Sequence, residues 1–201
     1  MADLKIAVIA GSTRPGRKSR TVAEWVLDRA AGRPGAGYHL LDLADAGLPL
    51  LDEPASAKVA GPAGYTREHT RRWSATVAGY DGFVFVTPEY NHSVSGVLKN
   101  AVDFLYHEWA NKAAALVSYG GAGGARAIEH LRGILSEVQI AHVQQSLSLS
   151  AFTDFEGWRT EQPTLAPSAV QDIFLPLMLT QLETWATAMR AVRQNALAPA
   201  A

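Results

Sequence analysis

The sequence predicts an α/β fold: a five-stranded, doubly wound parallel sheet of order 2-1-3-4-5 with helices on both faces. Three observations predict it. Segments of strand and helix character alternate along the 201 residues, which calls for crossover connections between parallel strands. The strand candidates are near-continuous apolar runs, as in Ile6-Ala7-Val8-Ile9-Ala10 and Phe83-Val84-Phe85-Val86, the pattern of strands buried on both faces. Gly- and Pro-containing segments punctuate their boundaries. A chain of this length buries roughly 70% of its unfolded surface, so a single domain over residues 1–201 is expected.

Taken in order, the first strand ends in Gly11-Ser12, and helical spacing resumes at Thr21-Val22-Ala23-Glu24-Trp25-Val26-Leu27. That helix, over residues 19–31, stops at Gly32-Arg33-Pro34-Gly35, and residues 38–43 form the second strand. Residues 45–64 shift to Ala, Pro and Gly and read as an ordered loop packed by Leu48, Leu50 and Leu51. A helix with a strongly polar face covers 66–78, its patch Arg67-Glu68-His69-Arg71-Arg72 facing solvent, and the third strand follows over 81–88. A helix over 95–109, a fourth strand over 112–119, a helix ending near Glu137 and a fifth strand built from 141–143 and 146–149 continue the alternation. A loop over 151–167 leads to a helix over 168–195, in which Leu175, Leu179, Leu182 and Trp185 serve as core or subunit contact. Residues 196–201 are expected to fray.

Composition excludes several classes. The net charge is −1 and 18% of residues are charged, so no general attraction to nucleic acid or membrane is expected. Cysteine is absent, which removes disulfides, thiolate metal sites and cysteine nucleophiles. The six histidines show no metal-ligand spacing. No apolar run reaches membrane-spanning length and no signal-peptide core precedes the first strand, so a cytoplasmic protein is expected.

Against this neutral background the turn after strand 1 stands out. It carries Arg14, Arg17, Lys18 and Arg20, with no acid between Lys5 and Glu24. A strand-to-helix turn aims backbone N–H groups and a positive helix end at one spot, and four cations make it suited to a phosphate. The alternative is an exposed basic turn. Gly11 and Gly16 have Walker A spacing, but Arg17 intervenes before Lys18-Ser19, and Thr13 stands where a dinucleotide fingerprint needs glycine. Neither nucleotide motif is satisfied.

In a 2-1-3-4-5 sheet, ligands sit at the strand carboxyl ends where the order reverses, and three unusual loops fall there. Thr87-Pro88-Glu89-Tyr90-Asn91-His92-Ser93 combines a fixed backbone, an aromatic face and polar side chains, which suits a planar heterocycle. Ser118-Tyr119-Gly120-Gly121 offers glycines that let backbone N–H groups approach a ligand edge. Each loop alone reads equally as an ordinary turn; their convergence points to one crevice.

These segments, together with Gly96-Val97-Leu98-Lys99-Asn100-Ala101-Val102-Asp103, resemble the NADPH-dependent FMN reductase family. The resemblance spans most of the chain through Glu137 and implies a flavodoxin-like fold, bound FMN, NADPH as co-substrate, and reduction of a flavin, quinone, azo or metal acceptor. It implies that Ser12, Arg14, Lys18, Ser19 and Arg20 hold the FMN phosphate. Pro88, Glu89, Tyr90, Asn91 and His92 would hold one side of the ring, and Ser118, Tyr119, Gly120 and Gly121 its pyrimidine edge. No side chain is assigned as catalytic, because the flavin carries the chemistry in a ping-pong exchange. Negative charge on the reduced ring would be met by N–H groups near Gly120 and Gly121, and Tyr90 or His92 would meet the nicotinamide. A homodimer or homotetramer is implied; residues 99–103 are expected to pack their helix and meet a second subunit. The alternative function is an FMN-binding electron carrier without nicotinamide turnover. Residues 151–167 match no family feature.

Overall fold

Strands β1 (Leu4–Ala10), β2 (Ala36–Asp42), β3 (Gly82–Pro88), β4 (Ala113–Gly120) and β5 (Ala141–Ser150) form one parallel sheet of order β2-β1-β3-β4-β5. They are seen in a computed structural model that describes residues 3–160 and 163–196. The helices are α1 (Ser19–Ala30), α2 (Leu43–Ala46), α3 (Ala57–Gly64), α4 (Glu68–Ala78), α5 (Gly96–Asp103), α6 (Ala125–Glu137) and α7 (Ala169–Ala196). A short antiparallel ribbon pairs β6 (Phe155–Glu156) with β7 (Thr164–Leu165). The doubly wound, flavodoxin-like architecture and its strand order are as the sequence predicts.

Side-chain alternation along the strands sorts the core into two layers. Ile6, Val8, Ala10, Val84, Val86 and Val117 pack against Val22 and Val26 of α1 and Leu175, Met178, Leu179 and Leu182 of α7. On the other face Ala7, Ile9, Phe83, Phe85 and Leu116 meet Trp73, Leu98, Val102, Trp109, Ile128 and Leu131. The gap in the fifth strand is real: Ala114 pairs with His142 but Leu116 pairs with Ser146. The displaced carbonyls of Val143 and Gln144 accept bonds from the Arg132 guanidinium at 2.9 and 3.0 Å.

Several expectations are corrected. The helix expected to reach Trp109 ends at Asp103, because the indole N–H groups of Trp73 and Trp109 take the carbonyls of Ala101 and Val102 at 2.8 and 3.1 Å. The chain can then turn while Phe104, Leu105 and Trp109 stay buried. The stretch read as a loop over 45–64 begins within α2, capped by the Asp42 carboxylate on the Ala44 N–H at 3.0 Å, and ends in α3, two short helical pieces broken by the non-helical backbone of Gly61. Leu50 is 84% exposed and does not pack the loop. Asn100 pins the segment instead, donating to the Pro49 carbonyl at 2.7 Å and accepting from the Leu51 N–H at 2.9 Å. The polar patch of α4 is tied to that loop as well, through His69 to Asp52 at 2.8 Å. Residues 151–167 hold the β6–β7 ribbon, and Trp185 is exposed although Leu175, Leu179 and Leu182 are buried. Of residues 196–201, all but the backbone of Ala196 lies outside the described residues. Among the described residues no helix is long and apolar enough to cross a membrane.

Candidate active site

Sheet register sets the site. Ala10 lies level with Asp42 on one side and Val86 on the other, and Pro88 lies level with Tyr119, so the loops leaving β1, β3 and β4 open onto one edge. Gly11 makes the first of these turns possible. Its N–H donates to the Val86 carbonyl at 2.8 Å, and a Cβ there would sit 2.6 Å from that oxygen. The loop then turns at Gly16, with φ of +69°, closed by the Arg17 N–H on the Arg14 carbonyl at 3.0 Å.

The four cations of this loop divide into two pairs. Asp42, its side chain fully buried, accepts from Arg17 at 2.7 Å and lies 3.5 Å from Arg20. Arg20 also binds Glu24 at 2.9 Å, on the outer side of α1, and this hydrogen bond holds its pKa above the ordinary arginine value. Arg14 and Lys18 have no carboxylate within ion-pair distance among the described residues. Partial burial and the neighbouring Arg14 charge hold the Lys18 pKa below the usual lysine value, as expected where cations gather without an anion.

After β3 the chain folds back as a two-residue turn. Tyr90 and Ser93 exchange backbone bonds at 2.9 and 3.1 Å, with Asn91 at φ +48° and His92 at φ +74° between them, the left-handed pair of a type I′ turn. The turn aims the Tyr90 hydroxyl inward to Ser12 Oγ at 3.0 Å and His92 outward to Arg126 at 3.3 Å. Arg126 also pairs with Glu89. Ser95 closes the corner: its hydroxyl caps α5 at the Leu98 N–H, 3.2 Å away, and donates to the Gly11 carbonyl at 2.5 Å.

After β4, Ser118 is buried and donates to the Gly123 carbonyl at 2.7 Å. Gly124, at φ +80°, leaves a would-be Cβ only 2.8 Å from the Ser118 Cβ, so this turn accepts no larger residue. Tyr119 is 4% exposed, and among the described residues neither its hydroxyl, which has Ser19 nearby, nor Glu89 Oε2 makes a hydrogen bond of normal geometry. Burial, with Tyr90 nearby, raises the Tyr119 pKa and keeps it a neutral donor.

These loops line two adjoining cavities. One, of about 260 Å³, is walled by Arg14 to Lys18, Pro88 to Tyr90, Tyr119 to Gly121 and Trp158. The other, of about 610 Å³, is walled by Ser12, Thr13, Leu48, Pro49, Leu50, Val97 and Asn100, and shares Arg14 and Tyr90 with the first. Of the residues expected to hold a cofactor, Arg14, Lys18, Pro88, Glu89, Tyr90, Tyr119, Gly120 and Gly121 line the smaller cavity and Ser12 lines the larger. Ser19 is buried beneath the loop, its hydroxyl 3.4 Å from the Ser12 carbonyl. Arg20, Asn91, His92 and Ser118 line neither cavity. Sequence reasoning missed Trp158; its signal was an indole in a Gly-containing segment at a strand carboxyl end.

Residues 4–154 match the sequence model of the family described as NADPH-dependent FMN reductase. An NAD(P)H-dependent FMN reductase of Schizosaccharomyces pombe is 43% identical over 148 residues, 72% of this chain and 73% of its own length. An NADPH azoreductase of a Bacillus strain is 33% identical, covering 77% of this chain and 81% of its own. Among solved structures, the flavoenzyme NAD(P)H:(acceptor) oxidoreductase FerB of Paracoccus denitrificans superposes with a TM-score of 0.68 at 22% identity, over 92% of this chain and 98% of its own.

Proposed function

The chain belongs to the NADPH-dependent FMN reductase family, and from that premise we propose that its FMN lies in the 260 Å³ cavity. The phosphate would be held by Arg14 and Lys18, and the ring by residues 88–90 and 119–121. The enzyme is an NAD(P)H-dependent oxidoreductase with FMN as cofactor. One observation carries the placement: of the three loop cations that line this cavity, Arg17 is paired with Asp42, while Arg14 and Lys18 have no carboxylate partner among the described residues.

The residues present fit the group. Two cations uncompensated among the described residues match a dianionic phosphate, and the buried Tyr119 hydroxyl, without a hydrogen bond of normal geometry among those residues, has a proton to donate. When bound, FMN supplies the redox chemistry, accepting hydride from NAD(P)H and passing it to an acceptor. The chain's part is to bind and orient. Arg14 and Lys18 fix the anionic end, and the Ser12–Tyr90 bond ties the first loop to the second. Gly121 has open space where a side chain would stand, so the backbone there is accessible to a ligand edge. Ser19 supports the loop from below, while Arg20 is spent on Glu24 and Asp42.

The larger cavity supports a flat, apolar acceptor. Leu48, Pro49, Leu50 and Val97 supply its apolar wall, and relatives include the Bacillus azoreductase and a 2-hydroxy-1,4-benzoquinone reductase of a Burkholderia species. We read residues 1–201 as one FMN-binding domain acting in the cytoplasm as a homodimer or homotetramer. The apolar row Val170, Ile173, Phe174 and Leu177, exposed on α7, supports association and is checked by light scattering on the eluting protein.

The test compares FMN with riboflavin, which lacks the phosphate. Arg14→Ala removes a hydrogen bond to a charged group, about 1.5–3 kcal/mol, so FMN binds about ten- to a hundredfold more weakly. Riboflavin affinity stays unchanged. Equal losses for the two flavins would place the phosphate elsewhere.

A further inference from the structure

We propose that Trp158 closes the anion end of the FMN cavity, admitting a flavin that ends in a monophosphate and rejecting one that continues through a pyrophosphate into adenosine. The inference rests on the FMN placement proposed above.

Among the described residues, Trp158 is the one side chain lining the cavity from beyond residue 154, where the family match ends. Lys18 Nζ lies 4.8 Å from the indole centroid, within cation–π range, so the wall and the ammonium that faces the phosphate hold each other in place. A second phosphate and a nucleoside leaving past Lys18 would meet the indole.

The wall is anchored. The indole packs edge-on against Phe155 at 4.8 Å between centroids and against Tyr119 at 6.2 Å, and Phe155 is 7% exposed. Just before it, the buried Asp154 carboxylate accepts from the Ser150 and Ser168 N–H groups at 2.8 and 2.9 Å. The Asp154 carbonyl accepts from the Ala166 N–H at 2.9 Å. After it, the Gly157 carbonyl accepts both the N–H and the hydroxyl of Thr160, at 2.8 and 2.7 Å. With the backbone on either side fixed, a larger nucleotide can displace the indole only by breaking its packing on Phe155 and Tyr119 and its contact with Lys18. Discrimination of this kind works by excluding the wrong ligand rather than by improving contacts to the right one.

Affinities for FMN, FAD and riboflavin are measured by quenching of flavin fluorescence on the wild type, Trp158→Ala, Trp158→Phe and Arg14→Ala. The wild type prefers FMN to FAD. Trp158→Ala narrows that preference by about tenfold or more, chiefly by gaining FAD affinity, whereas Trp158→Phe keeps a ring in place and stays within about threefold of wild type. Trp158→Leu replaces the alanine variant if that fails to fold, with the same expectation. An unchanged FMN:FAD ratio in the small-residue variant overturns the inference, and so does an equal loss of both flavins. If Arg14→Ala weakens FMN but not riboflavin while the Trp158 ratio stays fixed, the inference alone falls. If Arg14→Ala leaves FMN binding intact, the FMN placement falls and takes the inference with it.

Discussion

Lys112 makes the stability of this protein depend on alkaline pH in a calculable way. Its ammonium is buried at the foot of β4, the residue 4% exposed, and it donates to the Val77 and Ala78 carbonyls at 2.7 and 3.2 Å. Burial, reinforced by the Arg193 charge and opposed by Asp81 and Glu108, brings its pKa down to about 8. In the unfolded chain the group titrates near the ordinary lysine value of 10.5. Below pH 8 both states hold the proton, and burial of the charge costs the folded state about 3 kcal/mol, from about 1.4 kcal/mol per pKa unit. Between pH 8 and 10.5 the unfolded state binds more protons, so stability rises with pH. Lys112→Met keeps the apolar stem and removes the titration. The stability difference, wild type minus variant, should therefore climb by about 3 kcal/mol over this window, or about 6–12 °C in Tm for a chain of this size. Taking the difference cancels the buried tyrosines, which titrate in both proteins. Urea titrations at half-unit pH steps measure it, with FMN affinity at pH 7 unchanged as a control. Parallel pH curves for the two proteins would refute the reasoning.

Three further outcomes follow from the site. Gly11→Ala places a Cβ 2.6 Å from the Val86 carbonyl oxygen, a backbone atom that cannot swing away. It should cost about 1–3 kcal/mol and weaken FMN binding by displacing the loop, read by thermal melting and flavin titration. Asp42→Asn keeps the cap on Ala44 but removes the counter-charge of Arg17, whose side chain is 23% exposed. It should cost about 2–3 kcal/mol, less than a fully buried pair because the freed guanidinium can reach water. FMN binding should hold or tighten; a tenfold loss would show that Arg17 and Arg20 are not spectators. Asp154→Ala leaves the Ser150 and Ser168 N–H groups without their acceptor, at about 1–3 kcal/mol each. It should loosen the Trp158 wall and move the FMN:FAD ratio in the same direction as Trp158→Ala.

The sheet was legible because strands buried on both faces need apolar side chains at every position, and such runs survive any local ambiguity. β1, β3 and β4 are of this kind. Helix ends were less legible where tertiary partners set them. The last turn of α5 gives its carbonyls to two indoles, one of them from α4, and no spacing within residues 95–109 announces that. The β6–β7 ribbon has two-residue strands, too short to carry any periodicity.

The site divides along the same line. Glycines and cations of the first loop could be read directly, because their chemistry is local. Which cations remain free could not, because the deciding residue lies at the end of a different strand. Yet the strand order contains the answer: in a 2-1-3 arrangement the last residues of strands 1 and 2 are neighbours, and Asp42 ends strand 2 level with Ala10. A buried carboxylate there, beyond capping Ala44, finds its cationic partners in the segment just beyond Ala10. It takes Arg17 and Arg20, and leaves Arg14 and Lys18 as the cavity-lining cations without a carboxylate among the described residues. The positive charge available to a ligand is thus fixed by register between two strands rather than by the loop's composition. A phosphate loop of this type should be read together with the residue that ends the adjoining strand.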